Sequence, residues 1–114
     1  VAKTVKLSKP VKFHDKLLDE IELKEPSGGL YVKLGDPRVL VFNASGSAYW
    51  VERNETISEY LEACVAHEMG AHIINLLPLE DTMALKEELF GFFSDAAARR
   101  AAKKSTPSSS APAP

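Results

Sequence analysis

Along the first quarter of the chain apolar and polar residues alternate. From Lys3 to Leu7, Val5 and Leu7 fall on one side and Thr4 and Lys6 on the other, the period of a half-buried strand. Ser8-Lys9-Pro10 interrupts the pattern, Val11 and Phe13 resume it, and His14-Asp15-Lys16 reads as a turn. Ile21 and Leu23 then alternate with Glu20, Glu22 and Lys24, so the stretch predicts a small antiparallel hairpin or meander. Glu25-Pro26 stops the second arm, and Ser27 can cap a short helix from Gly28 to Leu34, closed by Gly35-Asp36-Pro37. Arg38 to Phe42 and Ala48 to Glu52 are both rich in β-branched and aromatic residues, and Asn43 to Ser47 between them is a turn-rich loop. A second hairpin is expected there.

The period then lengthens. Ile57, Tyr60, Leu61 and Cys64 recur at three- and four-residue spacing, which predicts a helix capped by Asn54 or Thr56 and ended or bent by Gly70. Ala71 to Leu77 reads as one turn or a buried connector. Leu76 to Phe93 then reads as one amphipathic helix, with Pro78 in its first turn or Asp81 at its start, and with Glu80 and Asp81 at the positive end of its dipole. On this helix Leu79, Met83, Phe90 and Phe93 share one stripe, with Leu85, Leu89 and Phe92 beside it. That face is wider than one small core requires. It can be the central core helix of the domain or, in part, a surface that meets another protein. Past Asp95 the Ala- and Lys-rich run favours helix without an apolar face and should fray, and Ser105 to Pro114 should be disordered. The expected architecture is an α+β domain over residues 1–95, with short antiparallel hairpins in the N-terminal half packed with two main helices in the C-terminal half. A basic extension and a disordered Ser, Ala and Pro tail follow over 96–114.

Composition changes this picture little. In 114 residues, 45% hydrophobic and 26% charged content is ordinary for a globular protein. No apolar run approaches a membrane span and the start lacks a secretory h-region, so a cytoplasmic location and no membrane partner are expected. Cys64 is the single cysteine, and its apolar neighbours suggest a buried hydrophobe over a reactive thiol. Charge is more informative. The net −2 divides into +4 from Arg99, Arg100, Lys103 and Lys104 and −6 for the remainder, an acidic body with a basic tail. Such a tail could touch nucleic acid, but without interleaved aromatic residues that is the weaker reading.

The chain holds no convincing catalytic pattern. His67-Glu68-Met69-Gly70-Ala71-His72 looks like a zinc-hydrolase motif, but its histidines are five apart, and on a helix that separates them by about 140°. Asn43-Ala44-Ser45 and Asn54-Glu55-Thr56 match the glycosylation string, which carries no weight without a secretory signal. Ser27-Gly28-Gly29 lacks the lysine and the preceding strand of a phosphate loop. Glu87-Glu88 reads as a solvated helix face. No nucleophile, base and oxyanion hole assemble, so no enzyme, cofactor or metal is expected, and binding is the better class of answer.

Three stretches, in order, resemble the tail assembly chaperones of contractile-tailed phages, the E/41/14-type family with Mu-like representatives. Val5-Lys6-Leu7-Ser8-Lys9-Pro10-Val11 followed by Ile21-Glu22-Leu23-Lys24-Glu25-Pro26 is similar to the family's opening strand and its Leu-x-Leu-Arg-Glu-Pro segment, with Lys24 where Arg is usual. Leu34-Gly35-Asp36-Pro37 with Ile57, Tyr60 and Leu61 is the second. Leu76-Leu77-Pro78-Leu79, Asp81 and Ala84-Leu85, closing on Phe90-Gly91-Phe92-Phe93, is the third. The resemblance covers residues 3–94. It implies a small assembly factor, of phage or prophage origin, that acts with the long helical tape-measure protein in the host cytoplasm and is absent from the mature virion. It also implies a homo-oligomer or a longer frameshifted form as further partners, and no catalytic residues. The expected partner-binding residues are Leu79, Met83, Leu85, Leu89, Phe90, Phe92 and Phe93. The competing expectations are a structural tail or baseplate component and a small nucleic-acid-binding regulator that uses the basic segment.

Overall fold

The structure is a computed structural model and describes residues 2–13, 15–66 and 70–110. The chain order is β1 (Ala2–Phe13), β2 (Lys16–Lys24), α1 (Gly28–Leu34), β3 (Arg38–Phe42), β4 (Ala48–Glu52), α2 (Asn54–Cys64), α3 (Gly70–Leu76) and α4 (Leu79–Ser110). It is an α+β arrangement of two antiparallel hairpins followed by helices.

β1 and β2 pair with Val5 opposite Ile21 and Lys3 opposite Leu23, which puts the expected alternation on the core side. The interruption at Ser8-Lys9-Pro10 is a register shift between Lys6 and Val11 that leaves β1 a single strand. A bulge absorbs the proline that a regular ladder could not. Asp15 lies in the turn as expected, while His14 is outside the described residues. α1 forms where expected, because the Ser27 hydroxyl accepts from the Leu30 amide at 3.1 Å and so satisfies an orphan donor of the first turn.

β3 and β4 join through a loop organised by Asn43. Its side-chain oxygen accepts from the Ser45 and Ser47 amides, each at 3.0 Å, and Gly46 takes φ 88°, the left-handed turn position that glycine occupies without strain.

The helices differ from expectation at their ends. α2 begins with Arg53 at the cap position, and neither Asn54 nor Thr56 caps it. The Arg53 amide donates to the Pro37 carbonyl at 2.8 Å, closing the base of the second hairpin, so the helix starts one residue after the strand pair ends. α2 also stops at Cys64, before Gly70. Val65 turns extended and bridges Leu23, and the Ala66 amide donates to the Glu22 carbonyl at 2.8 Å, so pairing with β2 ends the helix. Gly70 opens α3. Leu76 belongs to α3, and α4 begins at Leu79, with the Pro78 carbonyl accepting from the Asp81 and Thr82 amides. The helical backbone then continues to Ser110, through part of the segment expected to be disordered.

One core joins these elements. Val5, Ile21 and Leu23 from the first hairpin meet Ile57, Tyr60, Leu61 and Cys64 of α2, Ile73 of α3 and Leu85, Leu89, Phe90 and Phe92 of α4. No apolar side chain of β3 or β4 belongs to this cluster or to the partly buried apolar residues packed against it.

Candidate protein-binding site

α4 carries two apolar stripes rather than one wide face. Leu85, Leu89 and Phe92 lie along the core side, with the buried Asp81 on the same line. Leu79, Met83 and Phe90 lie on a second line about 130° round the helix, with Phe93 near it. The two ends of that second line have different fates. Phe90 is covered by Arg38, whose guanidinium sits 4.4 Å from its ring and 4.3 Å from that of Trp50, between the two. Phe93 is covered by Tyr31 and Tyr60, at ring separations of 5.8 and 5.3 Å. Leu79 and Met83, over the first turns, remain 75% and 51% exposed, and Leu76 at the end of α3 is exposed beside them in sequence.

Of the seven residues expected to contact a partner, Leu85, Leu89, Phe90 and Phe92 are therefore inside the fold and Phe93 is half-buried. Burial of those four on β1, β2 and α2 takes them out of any surface the folded chain presents. Leu79 and Met83 are the two that stay open.

Phe93 also lines a groove of about 640 Å³ with Tyr31, Phe92, Ala96 and Ala97. Its rim is polar. Arg99 donates to Glu25 across it at 2.9 Å, so one of the four basic tail residues is already paired within the chain.

Polar side chains around these surfaces serve the fold. Asp81 accepts from the Ser8 amide at 2.9 Å and the Ser8 hydroxyl at 3.0 Å, pinning the β1 bulge to the first turn of α4. The buried Tyr60 hydroxyl donates to the Gly35 carbonyl at 2.6 Å, and Tyr31 donates to Asp36 at 3.0 Å. Lys3 reaches over Gly91, close to Glu88, Asp95 and the Phe92 ring; a Cβ at Gly91 would stand 2.7 Å from its ammonium nitrogen. Burial pushes the Tyr60 phenol up to about 12, with the neighbouring Asp36 charge adding to it, and pushes the Cys64 thiol up to about 11.

Among the described residues no three His, Cys, Asp or Glu side chains gather to hold a metal, and His72 is exposed on α3. His67, Glu68 and Met69 of the zinc-like string lie outside the described residues. No described helix is long and apolar enough to cross a membrane.

Sequence reasoning missed the second hairpin as a surface. Leu40, Phe42, Tyr49 and Trp50 are all exposed, with Phe42 at 67% and Trp50 at 55%. The available signal was the absence of alternation: neither strand has a polar face, and the first half of the chain holds no third layer to cover both sides. Compared with known protein families, curated proteins and solved structures, the chain matches none.

Proposed function

We propose that this chain is a protein-binding assembly factor, a tail assembly chaperone that holds the tape-measure protein soluble while the tail is built. One observation carries the binding reading: the second apolar stripe of α4 is covered at Phe90 and Phe93 and left open at Leu79 and Met83. A long helical partner with unburied apolar positions needs such a surface, since covering it stabilises the complex by about 25 cal/mol per Å² of apolar area. Methionine, unbranched and polarisable, adapts to partners that vary along their length. The choice of partner rests on the three stretches that resemble the chaperone family.

Co-expression with the tape-measure protein tests the reading. The expected result is a soluble complex that co-purifies, and that is lost when Leu79→Asp and Met83→Asp are combined. A tape-measure protein that stays insoluble beside the wild-type chain, with no complex recovered, overturns it. Finding the chain in purified particles would favour a structural tail component instead.

A further inference from the structure

We propose that the open stretch of α4 and one face of the β3–β4 hairpin form a single docking surface for an amphipathic helix whose apolar stripe is bordered by lysine or arginine. This rests on the protein-binding reading of Leu79 and Met83, and adds to it the rest of the surface and the charge of the partner. Strand pairing sets Arg38 opposite Glu52 and Leu40 opposite Trp50, so these four and Phe42 project from one face of the ribbon. Arg38 and Glu52 are the members of that face that reach α4, the first against the Phe90 ring at 4.4 Å, the second accepting from Lys86 at 2.9 Å. The face is therefore turned towards α4. Beyond this joint Leu40, Phe42 and Trp50 stay exposed and outside the core.

Both open surfaces start from that joint. On α4, Leu79, Met83, Lys86 and Phe90 follow one line, and Met83 lies about 10 Å along the axis from Phe90. On the ribbon, Trp50 shares the Arg38 guanidinium with Phe90. Met83 and Trp50 thus flank one junction, within the reach of a helix of three or four turns. Their apolar groups stand on faces and not along strand edges, so a helix laid against them covers one side of the ribbon and the open line of α4 together.

Charge selects the partner. Glu80 and Glu87 are exposed beside the α4 line, on the turns before and after Met83, while Lys86, the one basic side chain of α4 before Asp95, is already paired with Glu52. Between Arg38 and Glu52 the ribbon carries no charge. An apolar centre with an acidic border favours a helix with basic flanks and disfavours an acidic one. A second copy of this chain would set the same acidic border against itself, and nucleic acid would bring phosphates to it. Both are repelled.

Titration of the full chain with a synthetic helical peptide of about 20 residues, a leucine stripe flanked by lysine, tests this through the emission of Trp50, the single tryptophan. The expected result is a move to shorter wavelength with a midpoint below about 100 µM, and binding about tenfold weaker when glutamate replaces the peptide's lysines. Leu40→Ser with Phe42→Ser should weaken binding about tenfold or more, whereas Val39→Ser with Tyr49→Ser, on the opposite face, should leave it within about twofold. Glu80→Lys with Glu87→Lys, away from the hairpin, should reverse the preference between the two peptides. An emission unmoved by the lysine peptide overturns the proposal. So does equal binding of the glutamate peptide, or equal loss from the two faces, which would mark a strand added at a hairpin edge. The peptide does not depend on the tape-measure protein: if it binds and that protein does not, the chaperone reading falls and this one stands, and the reverse result removes this one alone.

Discussion

Tyr60 and Cys64 are ionisable side chains that the fold keeps protonated. Burial raises the phenol from 10.0 to about 12 and the thiol from 9.0 to about 11, so both anions form more readily in the unfolded chain. Their contribution to stability is complete below pH 9 and falls as pH rises, first between about 9 and 11 for the thiol, then between about 10 and 12 for the phenol. Denaturant titrations from pH 8 to 11.5 should therefore show a midpoint that declines steadily above pH 9. At pH 8 a thiol reagent should label the folded chain far more slowly than the unfolded one. Rapid labelling of the folded chain would mean that Cys64 is accessible and that its burial is misassigned.

Among the elements, α4 divides most sharply between buried and exposed apolar side chains. Leu89→Ala removes a fully buried side chain and should cost about 3 kcal/mol of unfolding free energy, whereas Leu79→Ala and Met83→Ala should each stay within about 1 kcal/mol. Chemical denaturation of the three variants checks this, and a loss at Met83 as large as that at Leu89 would place Met83 in the core. Periodicity alone could not make the distinction. It reads α4 as one wide apolar face, because which part of it meets the core is decided by where β1, β2 and α2 dock, and which part of the rest stays open is decided by the reach of Arg38 and Tyr31. The elements whose causes are local were legible: the β1–β2 alternation, the Ser27 cap, the Asn43–Ser47 loop. The ends of α2 were not, because they are set at a distance by Pro37 and β2, and the interruption at Pro10 was read as a break because the pattern does not reveal a bulge.

Across the whole molecule, two hydrogen-bonded contacts tie distant parts of the three resembling stretches together. Ser8 of the first stretch bonds Asp81 of the third, and Tyr60 bonds Gly35 within the second. These residues join distant parts of the chain, so what they specify directly is the fold, while the open surfaces lie at Leu79, Met83 and the second hairpin. Asp81→Ala removes two charge-assisted bonds to Ser8 and a negative charge from the start of α4, and should destabilise the whole domain by about 2 kcal/mol. A single shifted unfolding transition is the expected signature. An early transition confined to part of the far-ultraviolet signal would show instead that the first hairpin and α4 unfold independently.

The Ser8–Asp81 tie also sets a timetable. Its partners are 73 residues apart in sequence, and Val5, Ile21 and Leu23 find their opposite wall in Leu85, Leu89 and Phe92. During synthesis both hairpins can form early, but the core cannot close until residues beyond Phe93 have left the ribosome. Closing this core therefore waits on contacts between distant parts of the chain. Until then the two unpartnered ribbons are the most adhesive parts of the nascent chain.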